Sequence, residues 1–389
     1  MKKTILIFIL LLIGFFLFYN ILPVINYGFV GLPLLLLFLI FLAIIIFSKV
    51  EVTAKARKLN VFSRTNKILF FLSFGLMLYL LVVPLLTSLP MFRSSAYQKL
   101  IGKVENGDDL KNHIAPISLD KIRVVDEELA MLLGEKIIGS QPSLGSQAEI
   151  GEFTIQKVND ELYWVAPLLH TGFFKWYNNS EGTPGYVMVS ATNERDVKLI
   201  QNINGKPLKI KFQPSAYFGS RIDRHVYFNG YATTGLEDFN FEIDDAGNPY
   251  WIVTKYKKTI GFAGNDATGV LTVDAQTGEI KEYNIDNTPL WVDRIQPISF
   301  VEEQLNDWGE YVHGYWNFSN ENKLQTTEGL TLVYGENHKS YWYTGLSSVG
   351  KEESTVGFVL VDTRTKETTY YKQSGATEYA AQSSAEGKV

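Results

Sequence analysis

The chain has 389 residues, is 46% hydrophobic, carries 41 acidic against 36 basic side chains for a net charge of −5, and has no cysteine. That length accommodates two or three domains. The acidic balance argues against an extended cationic surface for nucleic acid, and the missing thiols exclude both a disulfide framework and a His/Cys zinc site.

Charge is absent from Thr4 to Ser48 and from Ile68 to Pro90. About 20 apolar residues cover the hydrocarbon core of a bilayer, so three transmembrane helices are predicted at residues 4–21, 30–47 and 68–89. The first is not read as a cleaved signal, because no small-x-small site follows it and a second apolar stretch begins soon after. Residues 49–67 carry Lys49, Lys55, Arg57, Lys58, Arg64 and Lys67 against Glu51 alone. Positive loops stay on the cytoplasmic side, which places the N-terminus and this loop inside the plasma membrane and everything beyond residue 90 outside. No ionisable residue falls within the spans, and intramembrane charge is the usual mark of an ion or proton path. The spans therefore read as an anchor in the lipid bilayer.

Residues 91–117 read as a juxtamembrane linker. Beyond them a Tyr-Trp pair recurs about every 90 residues, at Tyr163-Trp164, Tyr250-Trp251 and Tyr341-Trp342, and a Gly-led apolar run follows each pair at Gly185, Gly269 and Gly357. Tyr315-Trp316 falls outside this spacing. Three repeats are expected, at 118–205, 206–290 and 291–373. Each opens with a helix, signalled by Val125-Asp126-Glu127-Glu128, by Gln213-Pro214 and by Gln296-Pro297; Asp is a good cap and Pro tolerates the first helical turn. Polar hairpin turns follow at 158–161, 244–249 and 335–338. The predicted fold class is thus a membrane-anchored α+β protein, with three transmembrane helices and three tandem repeats of helix plus antiparallel sheet. Residues 374–389 read as the start of a fourth repeat or a terminal cap, and the sequence as a truncated copy of a longer protein.

Large side chains at alternate strand positions fill the space between sheet and helix, so Trp164, Trp251 and Trp342 are expected in the core. Tyr163, Tyr250 and Tyr341 then point the other way, and form the candidate binding surface, exposed or between repeats.

The run Gly269-Val-Leu-Thr-Val-Asp274-Ala-Gln-Thr277-Gly278-Glu279-Ile280 resembles the last strand and turn of the PepSY domain. The third repeat keeps Asp362 and Thr365 but has Lys366 in place of the Gly; the first has Ser190 and Asn193 instead of Asp and Thr. The resemblance covers residues 118–375 as tandem copies. It implies non-catalytic, extracytoplasmic domains associated with peptidase binding or inhibition at the cell envelope.

No local motif supplies a reaction centre. His113, His170, His225, His313 and His338 lack metal-ligand spacing. Gly345 to Gly350 is one residue too long for a nucleophile elbow and is expected in a loop between strands. The acidic pairs Glu127-Glu128, Glu302-Glu303 and Asp244-Asp245 have roles in helix starts and a turn, and the Asp244–Asn248 turn lacks a twelve-residue calcium pattern. The glycine-rich stretch 261–269 precedes a strand, not a helix N-terminus. The expected function is a non-enzymatic interaction module without cofactor, binding an envelope protein, a wall component or another copy of itself. The alternatives are an envelope hydrolase or transferase with its site between repeats, and a structural subunit of a surface assembly.

Overall fold

In a computed structural model of the chain, residues 2–47, 49–53, 56–60, 64–108, 110, 114, 121–327, 329–335, 339–349 and 354–376 are described. The fold is mixed α+β and divides into two compact units. The first comprises Met1–Arg93, Tyr227–Thr234 and Lys258–Gly264; the second comprises Ser94–Val226, Gly235–Lys257 and Asn265–Val389.

The first unit contains α1 (Lys2–Ile21), α2 (Gly31–Phe47), a hairpin of β1 (Lys49–Thr53) and β2 (Ala56–Asn60), and α3 (Arg64–Ser88). Within these helices Thr4–Ile21 and Asn66–Ser88 are long and apolar enough to cross a bilayer, and the most apolar stretch of each is left uncovered by protein. Helices apolar all round require an apolar surrounding, so both are compatible with a membrane anchor. The predicted middle span is a shorter apolar helix, Gly31–Ile46, so the structure gives two helices of bilayer length where the sequence suggested three.

Two segments from far along the chain complete this unit. The Ile25 amide donates to the Ala232 carbonyl at 2.8 Å, and the Tyr227 hydroxyl to the Pro23 carbonyl at 2.7 Å. The Phe262 amide donates to Ser88 Oγ at 2.7 Å, while the Phe262 ring meets Tyr79 edge-on. Gly261 makes this approach possible: its φ is +63°, and a Cβ there would lie 2.4 Å from Thr87 Oγ1. Only glycine accepts both the left-handed backbone and that proximity.

The second unit begins with α4 (Pro90–Gln98), which straddles the boundary, and β3 (Val104–Asn106). Residues 91–117 are accordingly more than a linker: Ile101 is buried, and β3 adds a parallel edge strand to the last sheet.

α5 (Glu127–Gly139) follows, capped as expected by Asp126, whose carboxylate accepts from the Leu129 amide at 2.8 Å. After the short α6 (Pro142–Gly145) come β4 (Ala148–Ile150), β5 (Thr154–Val158), β6 (Glu161–His170), α7 (Phe173–Asn178), β7 (Tyr186–Ser190) and β8 (Val197–Ile200). These strands form the first sheet, in the order β4-β6-β7-β8 with β5 also paired to β6. Gly134 lets α5 lie close upon it, since a Cβ there would sit 3.0 Å from both Ile150 and Phe153.

A small pair, β9 (Asn202–Ile203) and β10 (Lys206–Pro207), leads to the segment where a second helix was expected. That helix is broken. A 3-10 turn at Phe218–Ser220 and a five-residue α8 (Ile222–Val226) stand in its place, and the chain then kinks at Asn229 and Gly230. Phe218 at φ +51° and Gly230 at φ +113° interrupt any continuous right-handed helix. The second sheet has the order β11-β12-β13-β14, with β11 (Gly235–Ile243), β12 (Pro249–Ile260), β13 (Ala263–Asp274) and β14 (Ile280–Asn284).

α9 (Ile298–Glu310) starts after Pro297 as expected. β15 (Leu324–Thr326), β16 (Thr331–Tyr334), β17 (Ser340–Ser348), β18 (Ser354–Thr355), β19 (Gly357–Asp362), β20 (Thr368–Tyr371) and β21 (Gly375–Ala376) follow. The third sheet is ordered β15-β17-β19-β20-β3, with β16 also on β17, while β18 pairs with β21. Of residues 374–389, expected to begin a fourth repeat or to cap the last, Gly375–Ala376 form β21, and those beyond 376 lie outside the described residues.

One backbone lock recurs in all three sheets. Trp164 Nε1 donates to the Val125 carbonyl at 2.9 Å, Trp251 Nε1 to Phe212 at 2.7 Å and Trp342 Nε1 to Gln296 at 2.9 Å. In each sheet the amides of the indole's acceptor and of the residue before it converge on one carbonyl, that of Ala191, Ala275 or Thr363. The amides of those three residues in turn donate to Leu162, Pro249 and Ser340, the residues just before each Tyr-Trp pair. A Cβ on Gly185, Gly269 or Gly357 would lie 1.9, 2.1 or 2.4 Å from the carbonyl oxygen of Ile200, Tyr283 or Tyr371. The three tryptophans are buried, as their spacing suggested.

Candidate functional site

The three tyrosines do not form an open face. Tyr163 and Tyr341 are buried and Tyr250 is half-buried. The Tyr163 hydroxyl donates to Glu161 at 2.6 Å, and Lys198 covers its ring from 5.6 Å. Tyr250 lies 4.9 Å, centroid to centroid, from Trp291. Tyr341 belongs to a small cluster with Leu360 and Tyr371. Alternation along the strands holds, but the face opposite the tryptophans has its own cover. Of the three tyrosines, Tyr341 also lines an open cleft.

That cleft, of about 580 Å³, runs along β3 and β20; Lys103, Glu105, Asp108, Lys339 and Glu367 contribute its charges. Lys103 and Glu105 pair at 2.7 Å on the exposed rim. Lys366 fixes one wall, donating to the Leu100 carbonyl at 2.9 Å and pairing with Asp266. Burial, with Asp362 nearby, pushes the Tyr341 hydroxyl up to about 12, so it stays a neutral donor at the floor. The arrangement offers cations and carboxylates on one open surface, a set suited to holding a peptide segment by hydrogen bonds and charge.

A second charged cluster is closed. Asp293, just before α9, accepts from the Lys157 amide of β5 at 2.8 Å and from the Tyr334 hydroxyl of β16 at 3.2 Å. Its carbonyl accepts from Ser340 and Thr363 at 2.9 and 2.6 Å. Glu242 of β11 is fully buried, and neither of its carboxylate oxygens has a hydrogen-bond partner. Arg294 presents two similarly unpartnered nitrogens. Burial raises Glu242 to about 8 despite the opposing charge of Arg294, and raises Asp293 to about 6. Glu242 is thus held mainly as the neutral acid near neutrality, the form burial favours. Residues of all three sheets meet here, giving the cluster a role in joining them. One signal in the sequence is the acid of Glu242 set between the apolar Phe241 and Ile243 at the end of β11.

Among the described residues no group of three or more His, Asp or Glu is placed to hold a metal. His170 is buried and shifted down by that burial, and His225 Nε2 lies 2.7 Å from the Gly278 carbonyl. Ser347 sits within β17, which corrects the expected loop. The Asp244 carboxylate is engaged inside its own turn, by the Ala246 and Asn248 amides and the Asn248 side chain.

No family model and no curated protein matches the chain. Among solved structures, a thermostable family-43 glycoside hydrolase is similar at 14% identity with a TM-score of 0.20, over 60% of this chain and 57% of that one. A score that low carries no argument about shared fold or activity.

Proposed function

We propose that the protein is a membrane-anchored, non-enzymatic interaction module whose three PepSY-like repeats stand outside the cell and bind an envelope protein. In this reading α2 is a third crossing, the basic β1–β2 hairpin stays on the cytoplasmic side, and the chain beyond Ser88 is exported. Support for the repeats comes from the lock of indole, paired amides and glycine made three times. The observation that carries the binding role is the cleft along β3: its opposed charges, Lys103 and Glu105 among them, stand open on the rim, whereas Glu242 and Asp293 are walled in.

Because the chain has no cysteine, single cysteines report topology without background. Cysteines at Ser95 and Ser383 should react with an impermeant maleimide on intact cells and one at Thr53 should not; the reverse pattern sinks the orientation. A photo-crosslinker at Glu105 should capture a specific envelope protein, and Lys103→Glu with Lys339→Glu should abolish that capture. Equal capture from Lys281, on β14, would remove the cleft from consideration.

A further inference from the structure

The second unit carries an aromatic shelf that its core does not use. Gly172, at φ +104°, turns the chain into α7, whose sequence is Phe173-Phe174-Lys175-Trp176-Tyr177-Asn178. Phe174 is 79% exposed, Tyr177 67% and Phe218 58%. Trp176 is the half-buried keystone, with the rings of Phe173, Tyr217 and Phe218 at 5.8, 5.4 and 5.7 Å. Phe218 projects from a left-handed backbone at φ +51°. A bulky residue is strained there, and its ring is then left largely in solvent. Exposed aromatics grouped on this scale mark an interaction surface rather than ordinary surface scatter.

We infer that this shelf docks on the surface of a lipid bilayer, seating Phe174, Tyr177 and Phe218 among the headgroups. The inference rests on the membrane-anchored reading above. Three observations favour lipid over a sugar or a protein. Three of the four exposed rings, Phe173, Phe174 and Phe218, are phenylalanines, which lack the hydrogen-bonding edge that a sugar platform uses. Exposed Lys175 stands in the same turn, and aromatics flanked by a cation suit the interfacial zone and anionic headgroups. The chain also keeps such a surface within covalent reach. Tyr227, whose hydroxyl bonds the Pro23 carbonyl just beyond the end of α1, follows Phe218 by nine positions, and nine steps of chain span at most about 30 Å.

The test uses the full chain in vesicles of phosphatidylcholine and phosphatidylglycerol. A fluorophore on Lys175→Cys, which leaves every ring in place, is compared with one on Lys281→Cys. Headgroup-proximal spin-labelled lipid should quench the label at 175 roughly twofold, and aqueous iodide should quench it little, as expected for a site about 5–10 Å into the interface. Adding Phe174→Ser and Phe218→Ser should return it to the behaviour of the label at 281, with an unchanged melting curve. A chain extracted by carbonate would break the anchor reading, and this inference with it. A chain that stays integrated while its label at 175 remains open to iodide would overturn the shelf alone. Protection only on adding soluble wall polysaccharide, or only by a protein partner, would also overturn it.

Discussion

The first and third sheets differ from the second in what covers them, although all three share the same backbone lock. α5 and α9 are full helices, and Ala130 and Ile138 of the one and Val301 and Leu305 of the other belong to one continuous core with Trp164 and Trp342. The second sheet has a small separate core of Ile252, Ala267, Val270, Val292 and Ile295, and its helix position is broken into short turns. The lock and the covering helix are therefore separable: the frame needs an indole, paired amides and a glycine, while the helix answers to local backbone. Residues freed from covering the second sheet, Tyr227–Thr234, fold instead with the apolar helices.

The largest expected effect tests whether that shared core is real. Trp164→Ala or Trp342→Ala should destabilise the second unit by about 3–5 kcal/mol, as a shift in the chemical denaturation midpoint of the full chain. Trp251→Ala should act locally, with hydrogen exchange rising in β11–β14 and not in the other sheets. Exchange rising equally in all three would dissolve the distinction between cores. Gly269→Ala comes next. A side chain at φ +150° would lie 2.1 Å from the Tyr283 carbonyl, and strain with strand displacement should cost about 1–3 kcal/mol. Wild-type stability in this variant would show the lock to be dispensable.

The closed cluster gives a pH dependence of definite sign. Glu242 titrates near 4.5 unfolded and about 8 folded. The folded state therefore binds the extra proton between those values, and its contribution is full below 4.5 and lost as pH rises through 8. Asp293, raised to about 6, and Asp307, raised to about 7 chiefly by burial, act in the same direction over narrower windows. Stability should fall as pH rises from 5 towards 8, with Asp293 contributing to the fall up to about pH 6, Asp307 up to about 7 and Glu242 up to about 8. Glu242→Gln should flatten that slope, and an unchanged slope would mean that Glu242 is not the group responsible. The smallest effect is Asp126→Ala, which should cost about 1 kcal/mol by removing the α5 cap. Its contrast with the second sheet, where no such cap exists to lose, would be visible as a thermal shift confined to the shared core.

The fold was legible where chemistry repeats and illegible where it is unique. Trp-Gly periodicity located the three larger sheets, and Asp126 and Pro297 located two helices. Nothing local marked Phe218 as left-handed, so the second helix was expected and is absent. The tyrosines take the face opposite the tryptophans, but alternation tells which face a side chain takes, not whether that face is bare, and theirs is covered. The cleft draws on residues near 103 and near 367, a pairing made only by the parallel β3–β20 contact, for which no sequence spacing exists. Glu242 and Asp293 likewise meet only through the junction of sheets.

The seating of Gly261 and Tyr227 against the loop ends of the apolar helices has a consequence for how the molecule is made. The Ile25 amide finds its carbonyl at Ala232, and the Ser88 hydroxyl its amide at Phe262. At about 5–20 residues per second, synthesis leaves Ile25 waiting roughly ten to forty seconds for that partner. The apolar helices are thus born incomplete, and the last step of their maturation belongs to chain that has yet to emerge from the ribosome.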